Sequence, residues 1–156
     1  MNTDEVIQVI ATALGAPDLK LDEQGCARLR IDDTIDVNFE ASRSSHLLHV
    51  YCTLGPVPTS DRERTFEQFL TANLFGAETG GATLAIDAEF NEIVLCTDIG
   101  NHGWTAELIM SRLQRFIDAA QGWRERFAAI ELEADGESKR AVHPPDIAVD
   151  PGFLLA

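Results

Sequence analysis

The sequence at residues 65–76 is Thr-Phe-Glu-Gln-Phe-Leu-Thr-Ala-Asn-Leu-Phe-Gly, in which the apolar residues recur at the spacing of one helix face. Ser60 and Glu63 precede it at the spacing of a capping box, which predicts where this helix begins. Gly76 and the glycine pair at 80–81 predict its end, because glycine permits a sharp backbone turn. The stretch therefore predicts a central helix that leads through a glycine turn into the next element.

Strands and two more helices are predicted on either side of this central helix. Alternating or continuous apolar residues predict five strands, at 26–31, 35–40, 46–54, 82–87 and 92–96. Apolar stripes at helical spacing predict a first helix at 4–14 and a long last helix from about 104 to 130. The order is α-β-β-β-α-β-β-α. Since short turns join successive strands, we expect an α+β fold with a twisted antiparallel sheet and helices packed on it.

Length and composition predict one folded domain followed by a short tail. The chain has 156 residues, and its 45% apolar content is sufficient for a hydrophobic core. Residues 1–131 carry the periodic patterns and form the predicted domain. Residues 132–156 are acidic and contain prolines, which predicts a flexible tail that folding does not require. The apolar residues 153–155 are predicted to act as a placeholder in a partner groove.

The charge argues against nucleic acid as a partner. There are 12 Lys and Arg residues against 26 Asp and Glu residues, a net charge of −14, whereas phosphate binding depends on basic side chains. The acidic N-terminal residues lack the basic region of a signal peptide, and no apolar run has the roughly 20 residues needed to cross a bilayer. We expect a cytosolic protein without membrane insertion.

The sequence contains no pattern typical of a catalytic or metal-binding site. His46 and His49 are three apart on a predicted strand, so their side chains point to opposite faces and do not readily share a metal. Cys26, Cys52 and Cys96 are dispersed, which predicts reduced thiols and neither a disulfide nor a metal site. We expect no enzymatic activity, no metal and no cofactor. A small enzyme would require a deep polar pocket with titratable side chains of perturbed pKa.

Three motifs carry a resemblance to a known family: Leu54-Gly55-Pro56 before the central helix, the segment 69–76 and the segment 80–87. Over residues 6–130 the chain resembles the class I type III secretion chaperones of the Tir chaperone (CesT/SycE-like) family. The resemblance implies a bacterial cytoplasmic homodimer without enzymatic activity. It implies binding of the N-terminal segment of a secreted effector in an extended, export-competent state, with the secretion ATPase as a further partner. A stand-alone regulatory or sensory protein-binding domain of similar fold is the alternative.

Two sets of apolar residues are candidates for effector binding. The stripe on the first helix exceeds what anchoring requires, and alternate residues of the first two strands offer pockets to an extended segment. The predicted effector-binding residues are Val6, Ile7, Ile10, Leu29, Ile31, Val37 and Phe39. The other interpretation is that these residues form the core.

The central helix and the following hairpin carry more apolar surface than one small sheet readily covers, which predicts a dimer interface. The predicted interface residues are Phe66, Phe69, Leu70, Asn73, Leu74, Leu84 and Ile86. Asn73 among them has two interpretations. It is either a hydrogen-bonding residue at the helix end or a polar group that fixes register at an interface.

Overall fold

Helices and strands follow one another in the predicted order in the computed structural model. The structure describes residues 1–42, 44–45, 47–100 and 103–141, with side chains as far as residue 132. The elements are α1 (Thr3–Leu14), β1 (Cys26–Ile31), β2 (Ile35–Ala41), β3 (Leu48–Pro56), α2 (Arg62–Asn73), β4 (Thr83–Asp87), β5 (Glu92–Ile99) and α3 (Ala106–Ala141). A short 3₁₀ turn, Leu74–Gly76, follows α2. The predicted α+β fold is confirmed.

The strands form one antiparallel sheet in the order β1-β2-β3-β5-β4. The long pairing of β3 with β5 builds its centre, where Tyr51 lies opposite Cys96 and Cys52 opposite Leu95. Within the described sheet β1 pairs with β2 alone and β4 pairs with β5 alone. These two strands are therefore the edges of the sheet.

One face of the sheet packs on the helices. Buried side chains alternate along β2, β3 and β5, as Val37 and Phe39 do in β2. The least exposed side chains of α1 and α3 are Val6, Ile7, Ile10, Ile109, Leu113, Phe116, Ala120, Trp123 and Phe127. On the opposite face Tyr51, Val94 and Cys96 are half-buried among polar side chains. The hydrophobic core therefore lies between one sheet face and the helices.

The capping box lies on a different helix from the one predicted. Asp61 is the N-cap of α2, with a left-handed backbone (φ 49°) and no side-chain capping bond. Ser60 therefore lies one residue too early for its predicted bond with the first turn. A capping box is present at α1 instead, where Asn2 Oδ1 accepts from the Glu5 amide at 2.8 Å and Glu5 Oε2 accepts from the Asn2 amide at 2.9 Å.

The last helix extends beyond its predicted end. The apolar stripe ends near Ile130, but α3 continues to Ala141. Residues 131–141 contain three glutamates, two alanines, one leucine, one lysine and one arginine, which favour a helix without an apolar stripe. The predicted division at residue 131 thus falls within a helix, and a dispensable tail stays a prediction. Residues 142–156, with the apolar segment 153–155, lie outside the described residues.

Candidate functional site

The outer edge of β1 presents backbone groups to a further strand. The Cys26 amide donates to Asp22 Oδ1 at 2.9 Å, and the Cys26 carbonyl accepts from the Asp22 amide at 2.8 Å, so both groups point away from β2. In an antiparallel pair this direction repeats at every second residue. The amides and carbonyls of Arg28 and Arg30 therefore also point outward. We call the backbone of Arg28 and Arg30 the open edge.

The outer edge of β4 is sealed at Ala82 and Leu84 by side chains and a turn of the same chain. Asn73 Oδ1 accepts from the Leu84 amide at 2.8 Å, and Asn73 Nδ2 donates to the Leu84 carbonyl at 3.0 Å. The Ala82 amide donates to the Thr79 carbonyl at 3.0 Å, and the Thr79 hydroxyl donates to the Ala82 carbonyl at 2.6 Å. Asn73 is thus a hydrogen-bonding residue at a helix end, the first of its two predicted interpretations. We call Ala82 and Leu84 the sealed edge.

A groove lies beside the open edge, which we call the edge groove. It is a cavity of about 520 Å³ between the end of α1, β1 and α3, lined by Leu14, Ala16, Leu29, Arg30, Ile31, Asp32, Gln114, Ile117 and Gln121. Leu29 and Ile31 are half-buried and pack against the core. Because side chains alternate along a strand, a strand added at the open edge places every second side chain toward this groove.

A second groove, the helix groove, lies between α1 and the start of α3. This cavity of about 500 Å³ has a largely apolar lining of Gln8, Val9, Thr12, Ala13, Ala106, Glu107 and Met110. Met110 is followed along α3 by Gln114, Ile117 and Gln121 of the edge groove, at successive spacings of three or four residues. Residues at that spacing share one helix face. The two grooves therefore lie along one face of α3.

The structure corrects most of the predicted effector-binding residues. Val6, Ile7, Ile10, Val37 and Phe39 are no more than 2% exposed and form part of the core, because α1 packs its apolar stripe onto the sheet and α3. These five side chains present no surface to a partner.

Leu29 and Ile31 remain at a candidate site, since both line the edge groove. Sequence analysis missed Val9, Thr12 and Ala13 of the helix groove. Val9 lies off the buried stripe of α1, and an apolar residue in that position is the available signal.

The residues predicted for a dimer interface divide between core and surface. Phe69 and Leu84 are each 5% exposed and belong to the core, so they are corrected, while Phe66 is half-buried. The exposed side chains are Leu70 (72%), Leu74 (61%), Ile86 (48%) and Phe75 (96%), a residue the prediction omitted. We call these four residues the apolar patch.

Phe75 of the apolar patch also has a backbone conformation that bulky residues avoid. Its φ is +56° and its ψ is 15°, in the left-handed region. For an L residue this conformation costs roughly 1–2 kcal/mol and persists where neighbouring structure determines it. The 3₁₀ turn thus holds an aromatic side chain in solvent at a cost in conformational energy.

The described residues include one histidine–carboxylate contact and two thiols with a raised pKa. His49 Nδ1 lies 2.5 Å from Asp98 Oδ1 on the sheet face opposite the helices. His46 lies outside the described residues. No group of three or more His, Cys, Asp or Glu side chains positioned to hold a metal ion occurs among the described residues. Burial raises the pKa of the Cys96 thiol and that of Cys52, the latter to about 12, which disfavours the thiolate in both.

No described helix is long and apolar enough to span a membrane.

The buried Cys52 thiol predicts a loss of stability at alkaline pH. Its pKa of about 12 in the folded protein exceeds that of about 8.5 in an unfolded chain. The unfolded state therefore loses this proton first, and the stabilisation present below about pH 8.5 is lost as the pH rises toward 12. We expect the free energy of unfolding to fall by up to about 1.4 kcal/mol per pH unit in this window, and less steeply in Cys52→Val. Urea unfolding at increasing pH measures both slopes, and equal slopes would contradict the prediction.

Comparisons with known proteins find similarity in sequence and in fold. The profile of the Tir chaperone protein (CesT) family matches residues 5–124. A Chlamydia pneumoniae protein is 27% identical over 122 residues, which cover 77% of this chain and 92% of that protein. The crystal structure of the ExsC–ExsE complex is similar with a TM-score of 0.65 and 21% identity, over 80% of this chain and 96% of that one. The HopA1–SchA chaperone–effector complex is similar with a TM-score of 0.63 and 16% identity, over 78% of this chain and 91% of that one.

Proposed function

The chain belongs to the Tir chaperone protein (CesT) family, and from this premise we propose that it is a type III secretion chaperone. It binds the N-terminal segment of a secreted effector in an extended state and keeps that segment soluble and competent for export. It acts in the bacterial cytoplasm by binding and not by catalysis. The observation that carries this proposal is an open sheet edge directly beside a groove, on a protein whose other sheet edge is bonded to its own chain at Ala82 and Leu84.

The effector segment binds by adding a strand to β1. Its backbone pairs with the outward amides and carbonyls of Arg28 and Arg30, which any extended sequence satisfies. Alternate side chains enter the edge groove and contact Leu29, Ile31 and Ile117. The segment then continues into the helix groove along the same face of α3. Backbone pairing supplies affinity without sequence preference, and the grooves supply apolar contact area.

The same proposal includes a homodimer formed through the apolar patch. Its four exposed side chains surround the end of α2 and the strand to which Asn73 binds, so that they lie on one side of the fold. A large exposed apolar patch marks a protein interface more often than a free surface. The open edge lies at the opposite end of the sheet and stays accessible in such a dimer. The secretion ATPase is a further proposed partner.

Arg30→Pro tests the strand-addition mode. The Arg30 amide points away from β2, so proline removes a donor from the open edge without removing a bond of the β1–β2 ladder. With the effector identified by co-purification and mass spectrometry, we expect its N-terminal segment to bind Arg30→Pro at least about tenfold more weakly in calorimetric titration, through loss of a hydrogen bond and steric conflict.

Arg30→Gln is the matched control, since it keeps the amide but, like proline, removes the positive charge, and we expect it to bind within about fivefold of the wild type. Circular dichroism melts establish that both variants are folded. Unchanged affinity of folded Arg30→Pro would contradict strand addition at this edge.

A further inference from the structure

The open edge carries two arginine side chains that bind the same acidic neighbour. Asp36 of β2 accepts from Arg30 Nε at 2.9 Å and from Arg30 Nη2 at 2.8 Å, and it also accepts from Arg28 Nη2. Two guanidinium groups therefore share one carboxylate. The hydrogen bonds from Arg30 and Arg28 hold the pKa of Asp36 well below its usual range, so this carboxylate is charged and already engaged.

A third arginine faces the same region. Arg124 of α3 lines a polar cavity of about 370 Å³ together with Arg28, Asp36 and Asn38. The Arg28 and Arg30 side chains are 61% and 58% exposed, so they remain accessible to an incoming group. The nearby hairpin turn contributes Asp33, whose charge acts on Arg30. Three arginines therefore stand here beside Asp33 and Asp36, a local concentration of basic side chains in a chain of net charge −14.

Because side chains alternate along a strand, the face on which these arginines lie decides which residues of a bound segment they contact. Leu29 and Ile31 pack against the core beside the edge groove, whereas the guanidinium groups of Arg28 and Arg30 both bond to Asp36 on the opposite face of the sheet. In a strand paired with β1, the residues that do not enter the groove lie beside these arginines, with Cβ atoms about 4.5–5.5 Å from those directly opposite. An acidic side chain in that place gains charge-assisted hydrogen bonds, whereas a basic one is repelled.

We propose that the open edge selects an extended segment in which apolar residues alternate with an acidic residue, and that Arg28 and Arg30 bind this acidic side chain. The inference rests on the proposed function and adds the chemistry of the segment. Because the carrier as a whole is acidic, an acidic residue is favourable at this position and unfavourable over most of the remaining surface. The arginine pair thereby fixes the register of the bound strand.

Synthetic peptides provide the probe. They alternate leucine and threonine, and the central threonine is replaced by glutamate, glutamine or lysine. Fluorescence anisotropy with the full chain measures affinity, and the amide shifts of residues 28 and 30 in ¹⁵N spectra report strand pairing. We expect the glutamate peptide to bind about three- to fivefold more tightly than the glutamine peptide, with the lysine peptide weakest. The preference should decrease as salt is added.

The variant Arg28→Gln with Arg30→Gln is expected to bind the glutamate and glutamine peptides equally. Arg64→Gln is the control, because Arg64 lies on α2 beside Asp61, and it should keep the preference. A wild type that binds glutamate and glutamine peptides equally overturns this inference and leaves the proposed function standing. A preference that survives in the folded double variant also overturns it. If no peptide binds and the amides of residues 28 and 30 do not shift, strand addition itself is refuted.

Discussion

Trp123→Ala is expected to lower the free energy of unfolding by about 3–5 kcal/mol. Trp123 is 1% exposed, and its ring lies edge-on to Phe69 with 5.8 Å between ring centroids. Its Nε1 donates to the Glu78 carbonyl at 2.8 Å, which ties the glycine turn to α3. Alanine leaves a cavity at the centre of the helix layer, and it also leaves this carbonyl without its donor. The cavity and the lost hydrogen bond both lower the free energy of unfolding.

Trp123→Phe separates the two contributions. It keeps most of the ring volume but removes the indole donor, so we expect a smaller loss of about 1–2 kcal/mol. Urea unfolding followed by circular dichroism, at one fixed protein concentration, measures all variants on the same scale. Gln121→Ala, at the edge groove on the same helix, is the surface control and should change stability by less than about 0.5 kcal/mol. A loss below about 1 kcal/mol for Trp123→Ala would contradict the central role of this side chain.

Leu74→Asp combined with Phe75→Asp is expected to convert the proposed dimer to monomers at micromolar concentration. The two side chains are 61% and 96% exposed, so charge is introduced with little loss of core packing. Burying an unpaired carboxylate in an interface is costly, and two per chain should weaken association by at least about 100-fold. Sedimentation equilibrium measures the mass directly.

Leu132→Asp serves as the control for this experiment, since Leu132 is 74% exposed on α3 and outside the apolar patch. It should leave the mass unchanged. A double variant that still sediments as a dimer would exclude the patch as the interface, and a monomeric wild type would exclude the dimer. Phe69→Glu is a poor test, because Phe69 is 5% exposed and its replacement disturbs the core in either case.

Sequence reasoning succeeded where one periodicity dominated a segment. The alternation of Arg28 and Arg30 with Leu29 and Ile31 predicted both the strand and the face each residue occupies. It failed at the end of α3, where helix propensity continues without an apolar stripe. It also misplaced a capping box, because Ser60 and Glu63 have the right spacing but Asp61 is the N-cap.

The candidate site was harder to predict, because an apolar stripe looks the same whether it meets a partner or its own core. Val6, Ile7 and Ile10 satisfied the pattern of a binding face, yet α3 and the sheet cover them completely. The open edge depends on the order in which strands pair, and that order brings together residues far apart in the chain. The bonds from Asn73 to Leu84, which seal the other edge, follow from the same tertiary arrangement.

The sealed edge limits how far association by strand pairing can proceed. A fibre grows by strand pairing only if each molecule has two free edges, one to join the assembly and one to accept the next molecule. Asn73 and Thr79 occupy the outward groups of Leu84 and Ala82, which leaves the edge at β1 as the longer stretch for pairing. The expected stoichiometry is therefore one effector strand per chain. A carrier built this way handles an unfolded, aggregation-prone cargo without itself nucleating a growing sheet.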